Sequence, residues 1–193
     1  MFLRPRVAVL AALFAALTAV GAQIRIPFPL VPLTLQTPFV LAAGLVLGPR
    51  GGMWAMGLYL LMGLFGLPVF AGAGGPQVVL LPTFGFLLGF VGAAGTAGWV
   101  ARWDAPDLSP GHRFRLHLLA CLCGTGVLYA LGLTGLWANL HWVAGKDVSW
   151  TAVLEMGLFP FLLGDGVKIL GTSVLVSLSL QRVPGLLSGR APG

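Results

Sequence analysis

Asp165 and Lys168 carry the most suggestive chemistry in this chain. They stand in residues 160–171, which read Pro-Phe-Leu-Leu-Gly-Asp-Gly-Val-Lys-Ile-Leu-Gly, with apolar residues on both sides. A charge at membrane depth costs on the order of 3 kcal/mol or more, so its presence there points to a ligand or ion role. The i, i+3 spacing puts both groups on one helix face, where each lowers the other's burial cost; the same pair would also serve as a structural clip between helices. Gln36, Thr37, Gln77 and Thr83 are neutral polar groups able to face the same cavity, and Phe70, Phe84, Phe86 and Trp142 are its candidate apolar lining. One cation, one carboxylate, a few amides and hydroxyls and aromatic walls suit a small amphiphilic ligand with an acidic end. They do not suit a metal ion, which takes several carboxylates or imidazoles.

A membrane bundle must position these groups. Of 193 residues, 58% are hydrophobic and 8% charged, which is about a third of the charge of a soluble domain. The apolar residues form six blocks, at about 7–22, 35–48, 53–67, 78–101, 114–139 and 159–181, within a single membrane domain covering the chain. Blocks that are apolar on nearly every side are helical, because membrane strands would alternate. The stretch after Arg4 and Arg6 is read as a retained first span rather than a signal peptide, since five more segments follow it. The second and third blocks fall short of the roughly 20 residues of a straight span, so they are broken or shielded by protein.

The charges orient the bundle. Arg4, Arg6, Arg50, Arg102, Arg113, Arg115, Arg182 and Arg190 fall on the side of the termini, and Arg25 and Lys146 fall opposite. That asymmetry puts both termini in the cytoplasm. His112, His117 and His141 are then divided between the two sides, and a shared metal site is not expected. The outer loops, residues 23–34 and 67–77, are rich in Gly or Pro and nearly free of charge, as a lid or a site floor would be. The net charge of +6 does not imply nucleic acid, because the bases sit one or two at a time beside apolar blocks. Cys121 and Cys123 diverge on a helix and match neither a disulfide framework nor a zinc motif. No phosphate loop, H-E-x-x-H or G-x-S-x-G motif and no evident inverted repeat is present, so energy, if used, would come from a partner. An intramembrane enzyme would have to rest on Asp165 and Lys168. Ala8, Ala12 and Ala16 form one line on the first helix and Ala11, Ala15 and Ala19 the adjacent one, a smooth face that permits close helix approach.

Residues 22–37 read Ala-Gln-Ile-Arg-Ile-Pro-Phe-Pro-Leu-Val-Pro-Leu-Thr-Leu-Gln-Thr, and 47–52 read Leu-Gly-Pro-Arg-Gly-Gly. Residues 66–72 read Gly-Leu-Pro-Val-Phe-Ala-Gly, 82–90 Pro-Thr-Phe-Gly-Phe-Leu-Leu-Gly-Phe, and 164–168 Gly-Asp-Gly-Val-Lys. In this order, over nearly the whole chain, these runs resemble the BioY family, the biotin-binding membrane subunits, or S components, of energy-coupling-factor transporters. The resemblance implies a non-enzymatic, all-α bundle of six transmembrane helices in a bacterial-type cytoplasmic membrane. It implies biotin as cargo, with no cofactor and no metal, held near the outer face beneath the two outer loops. Asp165 and Lys168 look like the family's polar pair, with Gln36, Gln77, Thr83, Phe70 and Phe86 around them. The six alanines resemble the surface that docks on the shared T subunit, and two ATPase subunits complete the implied assembly. An S component for another vitamin, or a biotin transporter acting without the energising module, are the alternatives. Where the family commonly reads Gly-Pro-Thr-Gly-Gly-Tyr, this chain has Leu81-Pro82-Thr83-Phe84-Gly85-Phe86, without the Tyr hydroxyl; Gly166 replaces a larger apolar residue.

Overall fold

The computed structural model describes residues 5–27, 30–72, 74–105 and 107–182. Arg4 and Arg190, two of the charges used to orient the chain, lie outside them. The described residues fold as α1 (Pro5–Gln23), a ribbon of β1 (Arg25–Ile26) and β2 (Leu33–Thr34), α2 (Gln36–Leu64), α3 (Phe84–Val100), α4 (Pro110–Ala138), α5 (Trp150–Gly157) and α6 (Leu162–Arg182). Among the described residues, five segments are long and apolar enough to cross a membrane: Pro5–Gln23, Gln36–Leu64, Phe84–Trp103, Pro110–Val143 and Leu162–Arg182.

The second of these turns back on itself. Gly48 has φ 75° and ψ −179°, a left-handed φ that favours glycine, and Pro49 follows with no N–H to continue the helix. A Cβ on Gly52 would lie 2.9 Å from the Gly44 Cα, and Gln36 Nε2 donates to the Tyr59 hydroxyl at 2.6 Å. In a straight helix those two residues would be about 35 Å apart. Gln36–Leu64 is therefore a helical hairpin with arms 36–47 and 49–64, each too short to be a straight span. Counting the arms separately, six rods run along the bundle among the described residues.

The rods pack largely through small residues. Ala43, Ala55, Ala93 and Ala94 are fully buried at the centre with Met56 and Tyr59, so backbones approach closely where lipid supplies no hydrophobic drive. Leu13, Leu61, Leu122, Val167 and Leu175 are exposed, an outward apolar surface suited to hydrocarbon. At one end Trp137 stacks with His141 and with Trp150, centroids 5.1 Å and 5.5 Å apart. At the other end the Arg102 guanidinium lies 4.4 Å from the Trp99 ring centroid and 4.9 Å from that of Trp103. Such groups suit the two membrane interfaces.

Two elements add to the sequence reading. Arg25–Ile26 and Leu33–Thr34 pair as an antiparallel ribbon, with Arg25 opposite Thr34 and Ile26 opposite Leu33. Between α4 and α6 lies the short helix α5, whose N-terminus is capped by the Ser149 hydroxyl accepting from the Ala152 N–H at 3.3 Å. Pro160 stands just before α6, where its missing N–H costs the helix nothing.

Candidate functional site

A cavity of about 370 Å³ opens at the end of the bundle where the ribbon lies. The ribbon contributes Val31 to Thr34, the loop after α2 contributes Phe70 to Gly72, and α3, α4 and α6 bring Phe86 and Phe90, Tyr129, and Asp165 with Lys168. Phe70 is seated against Gly63, where a Cβ would fall 2.0 Å from its ring, so that loop is clamped by the absence of a side chain. Its backbone is tied further: Tyr59 donates to the Val69 carbonyl at 3.1 Å, Gln23 to that of Pro68 at 3.4 Å, and the Arg25 guanidinium to that of Ala71.

Asp165 and Lys168 meet as their spacing predicts. Lys168 Nζ donates to Asp165 Oδ1 at 2.7 Å, and both side chains are 10% exposed. The Tyr129 hydroxyl donates to the other carboxylate oxygen, Oδ2, and the Tyr129 ring stands edge-on to Phe86 with centroids 6.4 Å apart. The carboxylate thus has both oxygens engaged and is aimed by two helices. Lys168 keeps further N–H donors for a third party in the cavity. On the opposite side Gln36 accepts from Thr34 Oγ1 at 2.8 Å while donating to Tyr59, which links ribbon, hairpin and loop. This wall is polar but already satisfied.

The structure brings Asp165, Lys168, Gln36, Thr37, Thr83, Phe70 and Phe86 to the cavity wall. Gln77 does not join them: its amide turns back to donate to the Gly74 carbonyl, and the residue is exposed on the 3₁₀ turn Pro76–Leu80. Phe84 and Trp142 are also absent from the wall, Trp142 being 73% exposed beside Trp137. The six alanines divide. Ala8, Ala12 and Ala16 are exposed, whereas Ala11 and Ala15 are buried and Ala19 half-buried against the bundle. The second line is thus engaged inside the chain and is corrected from docking surface to internal packing.

Sequence reasoning missed Phe90 and Phe161 in the cavity wall and, with the more telling chemistry, Tyr129. It belongs to a row, Arg113, His117, Cys121, Thr125 and Tyr129, at four-residue steps along α4, a spacing that puts polar groups along one face. Its far end holds a second polar cluster. Arg113 Nε donates to Asp104 Oδ1 at 2.9 Å, His117 Nε2 lies 3.2 Å from Asp104 Oδ2, and His117 Nδ1 lies 2.8 Å from Ser177 Oγ. Arg113, counted from sequence as a loop charge, is buried here.

Residues 2–185 match the model of the BioY family. A relative from Lysinibacillus sphaericus, named "Probable biotin transporter BioY", is 39% identical, with 86% of this chain and 83% of the relative covered. The "Biotin transporter BioY" of Thermotoga maritima is 36% identical over 90% of this chain and 94% of its own. Among solved structures, the S-component for biotin from an ECF-type ABC transporter matches with a TM-score of 0.76 at 23% identity, covering 90% of each chain; at that identity the likeness shows the fold. The match along residues 2–185, together with relatives above a third identical over most of their length, establishes that this chain belongs to the BioY family.

Proposed function

We propose that this chain is the solute-binding subunit for biotin uptake, holding biotin in the cavity between the ribbon, the loop after α2 and the outer halves of α3, α4 and α6. The observation that carries the reading is the Asp165–Lys168 pair, the charged groups of an otherwise mostly apolar cavity of about 370 Å³ with several aromatic rings in its wall. Such a volume suits a small organic ligand. Biotin offers a ureido ring with two N–H donors and a carbonyl, an apolar thioether ring and an acyl chain ending in a carboxylate. Asp165 accepts from N–H groups, and Lys168 donates to a carboxylate or to the ureido oxygen. Phe70, Phe86 and Phe90 hold the apolar rings. The ribbon and the clamped loop exclude water, which strengthens each polar contact.

No bond is made or broken in this account; the protein recognises its cargo and transfers it. The cavity end faces the outside of a bacterial-type cytoplasmic membrane, and both termini lie in the cytoplasm. The exposed line Ala8, Ala12 and Ala16 is the surface for a T subunit, through which two ATPase subunits drive the change of exposure. The names of the relatives support biotin as the solute. The test is retention of labelled biotin by the purified chain under competition. Displacement by unlabelled biotin but not by a hundredfold excess of thiamine or riboflavin is the expected result, and displacement by either other vitamin would reassign the cargo.

A further inference from the structure

The seams of this bundle are of two kinds. Between α2 and α3 a Cβ on Gly44 would meet the Ala94 carbonyl oxygen at 2.2 Å, and between α3 and α4 a Cβ on Gly85 would fall 2.8 Å from the Gly135 Cα. Backbones in contact leave no space for one rod to move past another, so α2, α3 and α4 behave as one body. The sixth helix is attached differently. Its glycines Gly164, Gly166 and Gly171 meet no backbone of another helix, and its buried face mixes Ile169, Val176 and Leu180, which share an apolar cluster with Leu41 and Leu45 of α2, with Asp165, Thr172, Ser173 and Ser177.

Opposite them runs the polar row of α4, and the two helices meet in an even ladder. Tyr129 meets Asp165, the Cys121 thiol lies beside the Ser173 hydroxyl, and His117 meets Ser177. Antiparallel stepping pairs Thr125 with Ile169, which has no polar side chain. Accordingly Thr125 Oγ1 is buried without a hydrogen-bond partner, as is Thr172 Oγ1 on the other helix. Leaving a buried hydroxyl unpaired is unfavourable, and both orphans lie between the polar ties at the two ends of α6.

A displacement of α6 by one helical turn, about 5.4 Å, toward the Asp104 end gives Thr125 a polar partner and takes one from Tyr129, so the ladder keeps polar ties in either register. Asp165 then passes from Tyr129 to the level of Thr125, and Ser173 replaces Ser177 opposite His117. We infer that α6 has this second register, and that changing register is the step that releases the cargo by withdrawing Asp165 and Lys168 from the cavity. One-turn ratchets of this kind are a known way for a packed element to be bistable. The inference rests on the biotin-binding reading for the identity of the cargo, but the register itself does not.

Cross-linking to the native Cys121, in a Cys123→Ser background, reads both registers. Ser173→Cys captures the described register and Ile169→Cys the displaced one. The expected result is that both cross-link and that biotin suppresses the Ile169→Cys product at least fivefold. Oxidised Ser173→Cys protein should also release labelled biotin at least tenfold more slowly than the same sample reduced. Failure of Ile169→Cys to cross-link in folded protein, or equal release rates in oxidised and reduced Ser173→Cys, would overturn the second register. Thr125→Val supplies an independent readout: biotin release slowed about threefold with an unlowered thermal midpoint is expected, and an unchanged release rate contradicts the inference. Absence of biotin binding in the unmodified protein would remove the cargo assignment, whereas the two cross-links would still report the register.

Discussion

Asp165 is held from two directions, by Lys168 on its own helix and by Tyr129 from α4, and each contact makes a separate prediction. Asp165→Asn removes the negative charge while keeping the shape, leaving the Lys168 ammonium without its counter-ion; biotin affinity should fall at least about tenfold, roughly 1.4 kcal/mol. Equal affinity in a folded variant would make the pair a structural clip. Tyr129→Phe deletes one hydrogen bond to a charged acceptor, worth about 1.5–3 kcal/mol in general, and should weaken biotin binding about tenfold in equilibrium titration without unfolding the protein. The charged pair was legible from the sequence because two ionisable residues in an apolar run have few structural excuses. Tyr129 was not, because a tyrosine among Leu and Ala in a span is unremarkable until α6, 36 residues away, is laid against it. Gln77 misled for the opposite reason: an amide beside Gly and Pro reads as a loop group facing the site, while locally it satisfies the Gly74 carbonyl.

The helical hairpin Gln36–Leu64 depends on Gly48, at φ 75°. A side chain at φ 75° with ψ −179°, a region essentially restricted to glycine, costs about 1–3 kcal/mol, so Gly48→Ala should lower the thermal midpoint in detergent by several degrees. Gly48→Asn should lose as much, since this region, unlike the left-handed helical one, admits Asn no better than Ala; full stability in either variant would argue against backbone strain as the cause. The two alanine lines of α1 separate in the same way. Ala11→Leu should destabilise the bundle by overpacking it, by about 1–3 kcal/mol. Ala12→Leu, on the exposed line, should leave stability and biotin binding unchanged while weakening capture by a co-expressed T subunit. The chain reversal is readable as Gly48-Pro49-Arg50 between two apolar blocks, and the alanine lines as a four-residue repeat. Which line faces inward is not readable, because both are equally apolar and only the position of α2 distinguishes them. The ribbon and α5 escaped notice for want of length: two-residue strands and an eight-residue helix carry too few positions for a period to register.

At the scale of the whole molecule, the cavity and the Asp104–Arg113–His117 cluster occupy opposite ends of one bundle, each end bearing its own aromatic groups. The proposed orientation has a direct consequence. Lys146→Cys, at the cavity end, should react in intact cells with a membrane-impermeant thiol reagent, and Arg102→Cys, at the other end, only after permeabilisation; the reverse pattern would invert the topology. The central claim, however, is that this bundle exists to hold biotin between Asp165, Lys168 and the aromatic wall, and its most direct test is isothermal titration of the purified, detergent-solubilised protein with biotin, run beside Lys168→Ala. Saturable one-to-one binding by the unmodified chain and at least tenfold weaker binding by the variant are expected. Undiminished binding in Lys168→Ala would contradict the assigned site, and a folded unmodified protein that takes up no biotin would contradict the function itself.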